Sequence, residues 1–121
     1  MIGQVELKDW LQTLNREGFN ILNYIPKGRA NAITRSELCR KTGFQDRQVR
    51  DLIHYARREE SILNLSDGKG YFRPDLKDPV ERKMLAAYVR QEESRIKSTG
   101  WSLYGARKDC KENGIDWRTA N

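Results

Sequence analysis

A mainly α-helical fold carrying one small β-hairpin is predicted for this chain of 121 residues by three observations. Two short helical runs flank a single glycine between Thr34 and Glu60. Two short β-compatible segments flank a glycine-rich turn between Ile62 and Arg73, and helical apolar spacing returns on both sides of that region. With 37% hydrophobic and 33% charged residues the chain can fill one modest core and not a large one.

The first expected element is an amphipathic helix over residues 4–15, where Leu7, Trp10, Leu11 and Leu14 share one face. Asn15 to Gly18 breaks it. Phe19, Leu22 and Ile25 form a second short apolar face, expected as the first helix of the central domain. Pro26-Lys27-Gly28 stops that run, because proline restrains the residue before it. Thr34 marks the next start twice over. Its hydroxyl can accept from the Glu37 N–H while the Glu37 carboxylate reaches back to the Thr34 N–H, and Ile33 stands at staple spacing from Leu38. Gly43 ends the helix, since glycine takes the left-handed conformation that other residues resist. Phe44 follows as an expected buried plug.

A further helix from Gln45 or Asp46 to Glu59 or Glu60 places Val49, Leu52, Ile53 and Ala56 on one apolar face. At about 100° per residue, Arg47, Asp51, His54 and Arg58 then point outward, with Gln48, Arg50 and Tyr55 on the flanks. Gln45 is a weak N-cap, so the first turn is expected to begin at Asp46 or to fray. The segments Ile62–Leu65 and Gly70–Arg73 read as paired strands around a turn from Ser66 to Gly70, with Lys69 at its tip. From Asp78-Pro79 a long helix is expected to about Ser98, carrying one row of Val80, Met84, Ala87 and Tyr88 and another of Leu85, Val89 and Ile96. That apolar surface is wider than one small domain requires, and either a second copy of the chain or the N-terminal helix could cover it. A last helix is expected from Gly100 to Asn113, anchored by Trp101, Leu103 and Tyr104, ahead of a loose end that includes Trp117.

Two helices joined through a glycine and followed by a hairpin make a winged helix-turn-helix arrangement. The expected organisation is an N-terminal helix over 1–18, the winged domain over 19–75 with its recognition helix at about 46–59 and wing at about 62–73, and a C-terminal helical extension over 76–121 suited to dimerisation through Val80, Met84 and Tyr88.

Particular residues carry a resemblance. Ile25-Pro26, Gly28 and Asn31-Ala32-Ile33 lead into the first helix of the motif, the run Gly43-Phe44-Gln45-Asp46-Arg47-Gln48-Val49-Arg50 opens the second, and Gly70-Tyr71-Phe72 closes the hairpin. Over roughly residues 22–99 this is similar to small winged-helix proteins encoded in prophages and mobile elements of Gram-positive bacteria. The chain departs from that pattern at Gln45, where such proteins carry Ser or Thr. The resemblance implies a DNA-binding regulator of transcription or replication.

Charge is distributed in keeping with that expectation. The formal net charge is +6, and residues 24–73 hold 11 Lys and Arg against 6 Asp and Glu. A basic region attracts polyanions through counterion release, and nucleic acid is the commonest such partner. Arg47, Gln48, Arg50, Asp51 and His54 are candidates for base contacts in double-stranded DNA. Arg35, Arg40, Arg58, Lys69, Arg73, Lys27 and Arg29 are candidates for phosphate contacts. Asp51 can also restrain Arg47 at a helical spacing of four.

Other chemistry is poorly supplied. The 2 cysteines, Cys39 and Cys110, stand far apart beside a single histidine, so no zinc site is expected and reduced thiols are. No catalytic order of nucleophile and base is recognisable, and no glycine-rich loop opens a helix after a strand. The expectation is a cytoplasmic, non-enzymatic protein with no cofactor, small-molecule ligand or membrane segment. The rival expectation is a winged-helix module that assembles with other proteins, for example in phage replication or packaging, without reading DNA.

Overall fold

The computed structural model describes residues 4–65 and 67–119. The chain is mainly helical, with α1 (Gln4–Arg16), α2 (Arg35–Thr42), α3 (Asp46–Ala56), β1 (Leu63–Asn64), β2 (Tyr71–Phe72) and α4 (Pro79–Glu112). It divides into two compact units, one through Leu85 and one from Ala86.

In the first unit, α1 ends close to its expected limit and supplies Leu14 to the core, with Trp10 and Leu11 packed beside it. Leu7, expected on the same face, has its side chain outside the described residues. The expected helix around Phe19 to Ile25 is instead a single 3-10 turn, Ile21–Tyr24. Asn20 caps it by accepting from the Leu22 N–H at 3.0 Å. Of the expected apolar face, Ile25 is buried and Phe19 and Leu22 pack beside the core, while Ile21, which was not expected on it, is buried; the stretch from Phe19 to the proline leaves no room for two full α-turns.

α2 begins where its cap predicts. The Thr34 hydroxyl accepts from the Glu37 N–H at 3.2 Å, while the reciprocal bond from the Thr34 N–H to the Glu37 carboxylate is not made. Leu38 is fully buried, Cys39 packs against the core, and Gly43 closes the helix at φ 78°. Phe44 is a half-buried member of an aromatic cluster rather than a buried plug. Its ring meets Trp10 edge-on at 5.4 Å and Phe19 at 5.2 Å.

α3 starts at Asp46, one of the two expected starts, and Gln48 Oε1 accepts from the Gln45 N–H at 3.0 Å, which supports its first turn. Val49, Leu52 and Ile53 enter the core together with Ile33, Leu38, Ile62 and Tyr71. The helix is shorter than expected. It ends at Ala56, with Arg57 as C-cap, and residues 57–60 form turns instead of the further helical turn predicted to Glu59 or Glu60. Arg57 Nε donates to the Ile62 carbonyl at 3.1 Å, which helps to fix the exit.

The strands are also shorter than expected. They pair antiparallel only at Leu63 with Phe72 and Asn64 with Tyr71. Ser66, the expected first residue of the turn, lies outside the described residues. What the hairpin lacks in length is supplied from elsewhere, since Ile33 bridges Tyr71 through paired bonds of 2.9 and 2.7 Å and Lys27 bridges Arg73. Gly70 permits that approach at φ 102°: a Cβ there would stand 2.0 Å from the Ile33 carbonyl oxygen.

α4 crosses the predicted break. Helix continues through Gly100 and Gly105 to Glu112, replacing the expected stop near Ser98 and separate last helix. Glycine inside a helix costs about 1 kcal/mol relative to alanine, which weakens a helix without ending it. Cys110 therefore sits within the helix, half-buried. Beyond it the chain is hydrogen-bonded through Thr119: Ile115 N–H reaches the Cys110 carbonyl at 2.9 Å, and Asp116 accepts from Arg118 N–H at 3.0 Å. The expected loose end is in this sense ordered, although Ala120 and Asn121 lie outside the described residues.

Candidate nucleic-acid interface

The outward face of α3 is where the sequence places base contacts. Arg47 is exposed there and makes no ion pair among the described residues. Arg50 is also exposed, and its Nε lies 3.4 Å from Asp46 Oδ2. This pairing replaces the one expected between Arg47 and Asp51, since the same spacing of four joins Asp46 to Arg50 at the positive end of the helix dipole. Asp51 is half-buried, and His54 is exposed with its ring edge-on to Tyr55 at 5.4 Å. Gln48 holds its amide oxygen on the Gln45 N–H, so one of its two polar atoms is already engaged.

Asp46 joins α3 to α2. Its other carboxylate oxygen accepts from Arg35 Nε, and Arg35 Nη1 donates to the Tyr71 hydroxyl at 3.4 Å. The hydrogen bond donated to Asp46, with that donated to Tyr71, raises the Arg35 guanidinium above its ordinary pKa. One carboxylate thus gathers two arginines from two helices, while a buried tyrosine of β2 ties the hairpin to them. Neither Asp46 nor Tyr71 was singled out from the sequence. The spacing of Asp46 from Arg50 was legible; the meeting with Arg35, 11 positions away, was not.

The remaining basic candidates separate by what holds them. Arg40 is exposed on the last turn of α2. Lys69 is exposed and lines a shallow depression with Arg29, Ala30, Val80 and Met84. Arg29 pairs with Asp67 at 3.2 Å across the loop, and Lys27 is exposed beside it. The Lys69 N–H, and then the Arg29 guanidinium, hold the Asp67 carboxyl below its ordinary pKa. Arg73 is committed inward: Nε donates to the Ile25 carbonyl at 2.8 Å and Nη1 pairs with Glu60 at 3.2 Å. Arg58 lies past the end of α3, so its expected place on the outward face is corrected. It lines a groove with Leu11, Asn15 and Tyr55, on the α1 side.

One organising residue left no signal in the sequence. Glu81, in the first turn of α4, is buried at 8% exposure. Both its oxygens accept from the Arg29 N–H at 3.3 Å, and Oε1 also accepts from the Asp75 N–H at 3.0 Å. A carboxylate so placed fixes the Lys27–Ala32 loop against the start of α4, since losing it would leave backbone donors unpaired. Of the residues expected to pair subunits, Val80 is 58% exposed while Met84 and Tyr88 are half-buried.

Among the described residues no group of three or more His, Cys, Asp or Glu side chains could hold a metal ion, and no helix is long and apolar enough to cross a membrane. No protein-family model, curated protein or solved structure matches this chain.

Proposed function

We propose that this protein binds double-stranded DNA as a winged helix-turn-helix, with α2 and α3 forming the helix pair, α3 entering the major groove and the β1–β2 hairpin lying on the backbone as the wing. The observation that carries this reading is the outer face of α3. Its inner face is committed to the core, while Arg47 is exposed with no ion pair among the described residues and Arg50 makes an exposed ion pair with Asp46. Such pairs contribute roughly 0–1 kcal/mol, so Arg50 exchanges Asp46 for a guanine edge at little cost. Either arginine can donate both of its terminal N–H groups to guanine O6 and N7.

Gln48 takes a different part. Reading adenine with both amide atoms would release its bond to Gln45, so it acts mainly by holding the first turn of α3 in place. His54 lies further along the same face, exposed. Arg40, Lys69, Lys27 and Arg29 supply phosphate contacts, which set affinity and register without reading bases. Arg35 orients Asp46 and through it Arg50, and Arg73 holds the hairpin to the Ile25 carbonyl. The role is binding rather than catalysis, in keeping with a regulator of transcription or replication.

The exposed apolar residues of α4 favour a second reading, in which the domain assembles with protein and does not read DNA. An electrophoretic mobility shift with a random duplex pool, at two salt concentrations, separates the two. Binding that weakens steeply with salt is expected, and Arg47→Ala or Arg50→Ala weakens binding to selected sites by roughly 5- to 150-fold, the equivalent of about 1–3 kcal/mol. Absence of binding at low salt, or indifference to both substitutions, would leave the assembly reading in possession.

A further inference from the structure

The second unit carries an apolar row that no other described element of that unit covers. Val89, Ile96, Leu103 and Cys110 recur every seventh residue along α4, and Glu92, Thr99 and Ala106 fall between them at the spacing of three and four that makes a coiled-coil seam. Ile96 is 71% exposed, Val89 45% and Leu103 38%.

We propose that a second copy of this chain covers this row by pairing with it antiparallel. Charge and size together select that partner and that direction. When Thr99 is set against Leu103 of the second copy, Ile96 meets Ala106, so each large side chain faces a smaller one. In the same register the flanking positions bring Glu93 to Arg107 of the second copy and Arg95 to its Asp109, and two-fold symmetry repeats both pairs. Gly100 meets Gly100 at the symmetry axis, where the missing side chains let the helices approach. All four flanking charges belong to exposed residues. Arg95 now lies 3.5 Å from Glu92, a surface pair that yields readily to Asp109.

The parallel arrangement fails on the same residues. It sets Glu92 against Glu92 inside the seam, and its flanking positions offer Gly100 to Arg95 and Ser102 to Arg107, with no opposite charge. Trp101 and Tyr104 lie outside the seam and stay uncovered in either arrangement. The inference does not depend on DNA binding, since the two surfaces share no residue.

Analytical ultracentrifugation of the full chain tests it. The wild-type mass is expected to double reversibly with concentration; a chain that stays monomeric to about 1 mM overturns the proposal. Glu93→Arg and Arg107→Glu each set like charges against one another, and each is expected to weaken dimerisation at least tenfold while circular dichroism stays unchanged. Mixing the two variants restores dimers, because each then offers the charge that the other lacks. Failure of the mixture, or dimerisation of both single variants at wild-type strength, overturns the pairing. Direction is read from disulfides formed with oxidised glutathione in a Cys39→Ala background. Glu92→Cys is expected to give a cross-link to Cys110 of the second copy, whereas the two Cys110 thiols, about 27 Å apart at 1.5 Å per residue, do not join. A cross-link between the two Cys110 residues overturns the antiparallel arrangement.

Discussion

α3 and the distal part of α4 each carry apolar residues at helical spacing, yet Val49, Leu52 and Ile53 of α3 are 0–6% exposed while Val89 and Ile96 of α4 are 45% and 71% exposed. The two faces differ in what their own chain provides opposite them. α3 meets α2, the Ile21–Tyr24 turn and the hairpin, so its apolar face is closed within the fold and only its polar face remains available. The α4 row has no element of the second unit to meet, and its apolar face is the one left over. Helical periodicity alone would have given both faces the same role.

The contrast predicts where substitution is felt. The largest effect belongs to a glycine. Gly70→Ala would drive a Cβ into the Ile33 carbonyl, detaching the hairpin from the start of α2, and is expected to lower unfolding free energy by more than about 4 kcal/mol. Gly100→Ala, by contrast, meets nothing within 4 Å of its own chain and is expected to stabilise α4 of the dilute monomer by up to about 1 kcal/mol. Chemical denaturation of the two variants compares them directly, and equal destabilisation would erase the distinction between the regions.

A smaller but cleaner version uses one residue type. Leu38→Ala removes a fully buried side chain and is expected to cost about 2–5 kcal/mol. Leu103→Ala should change the stability of the dilute monomer by no more than about 0.5 kcal/mol, while abolishing the self-association proposed for α4. Urea titrations at low concentration, paired with sedimentation at high concentration, read both.

Glu81→Gln keeps the shape of the buried side chain but weakens its acceptance from the Arg29 and Asp75 N–H groups, at an expected cost of about 1–2 kcal/mol. Exchange of those two amides with deuterium should accelerate ahead of global unfolding. An unchanged exchange rate would remove Glu81 from its assigned place.

The smallest effect is one of pH. Asp67 has its folded pKa lowered from 3.8, so its contribution is present above that value and is lost as pH falls from there through the lower folded one. Asp67→Asn should flatten this part of the acid stability profile, and the Lys69 amide resonance should report the same titration by NMR.

Much of the first unit was legible because its signals are local. Thr34 and Gly43 mark the ends of α2 through side-chain and backbone preferences that act within four residues, and Val49, Leu52 and Ile53 declare the inner face of α3 by spacing alone. The errors share a cause as well. Extending α3 to Glu59 placed Arg58 on the wrong side, because the helix stops where Arg57 turns to bond the Ile62 carbonyl, a partner supplied by the incoming strand. Breaking α4 at Gly100 read a weak helix former as a terminator.

Composition, caps and apolar spacing by themselves determined the helical character, the hairpin, and which face of α3 is basic and available. The tertiary structure decided which of those basic residues remain free. Arg73 and Arg29 are held by Ile25, Glu60 and Asp67, and Arg35 and Arg50 converge on Asp46, while Arg47 makes no ion pair among the described residues. The physical reason is range: propensity and periodicity act over a few neighbouring residues, whereas an arginine's partner is whichever acceptor folding brings within reach, and in this chain those acceptors come from as far as 48 positions away.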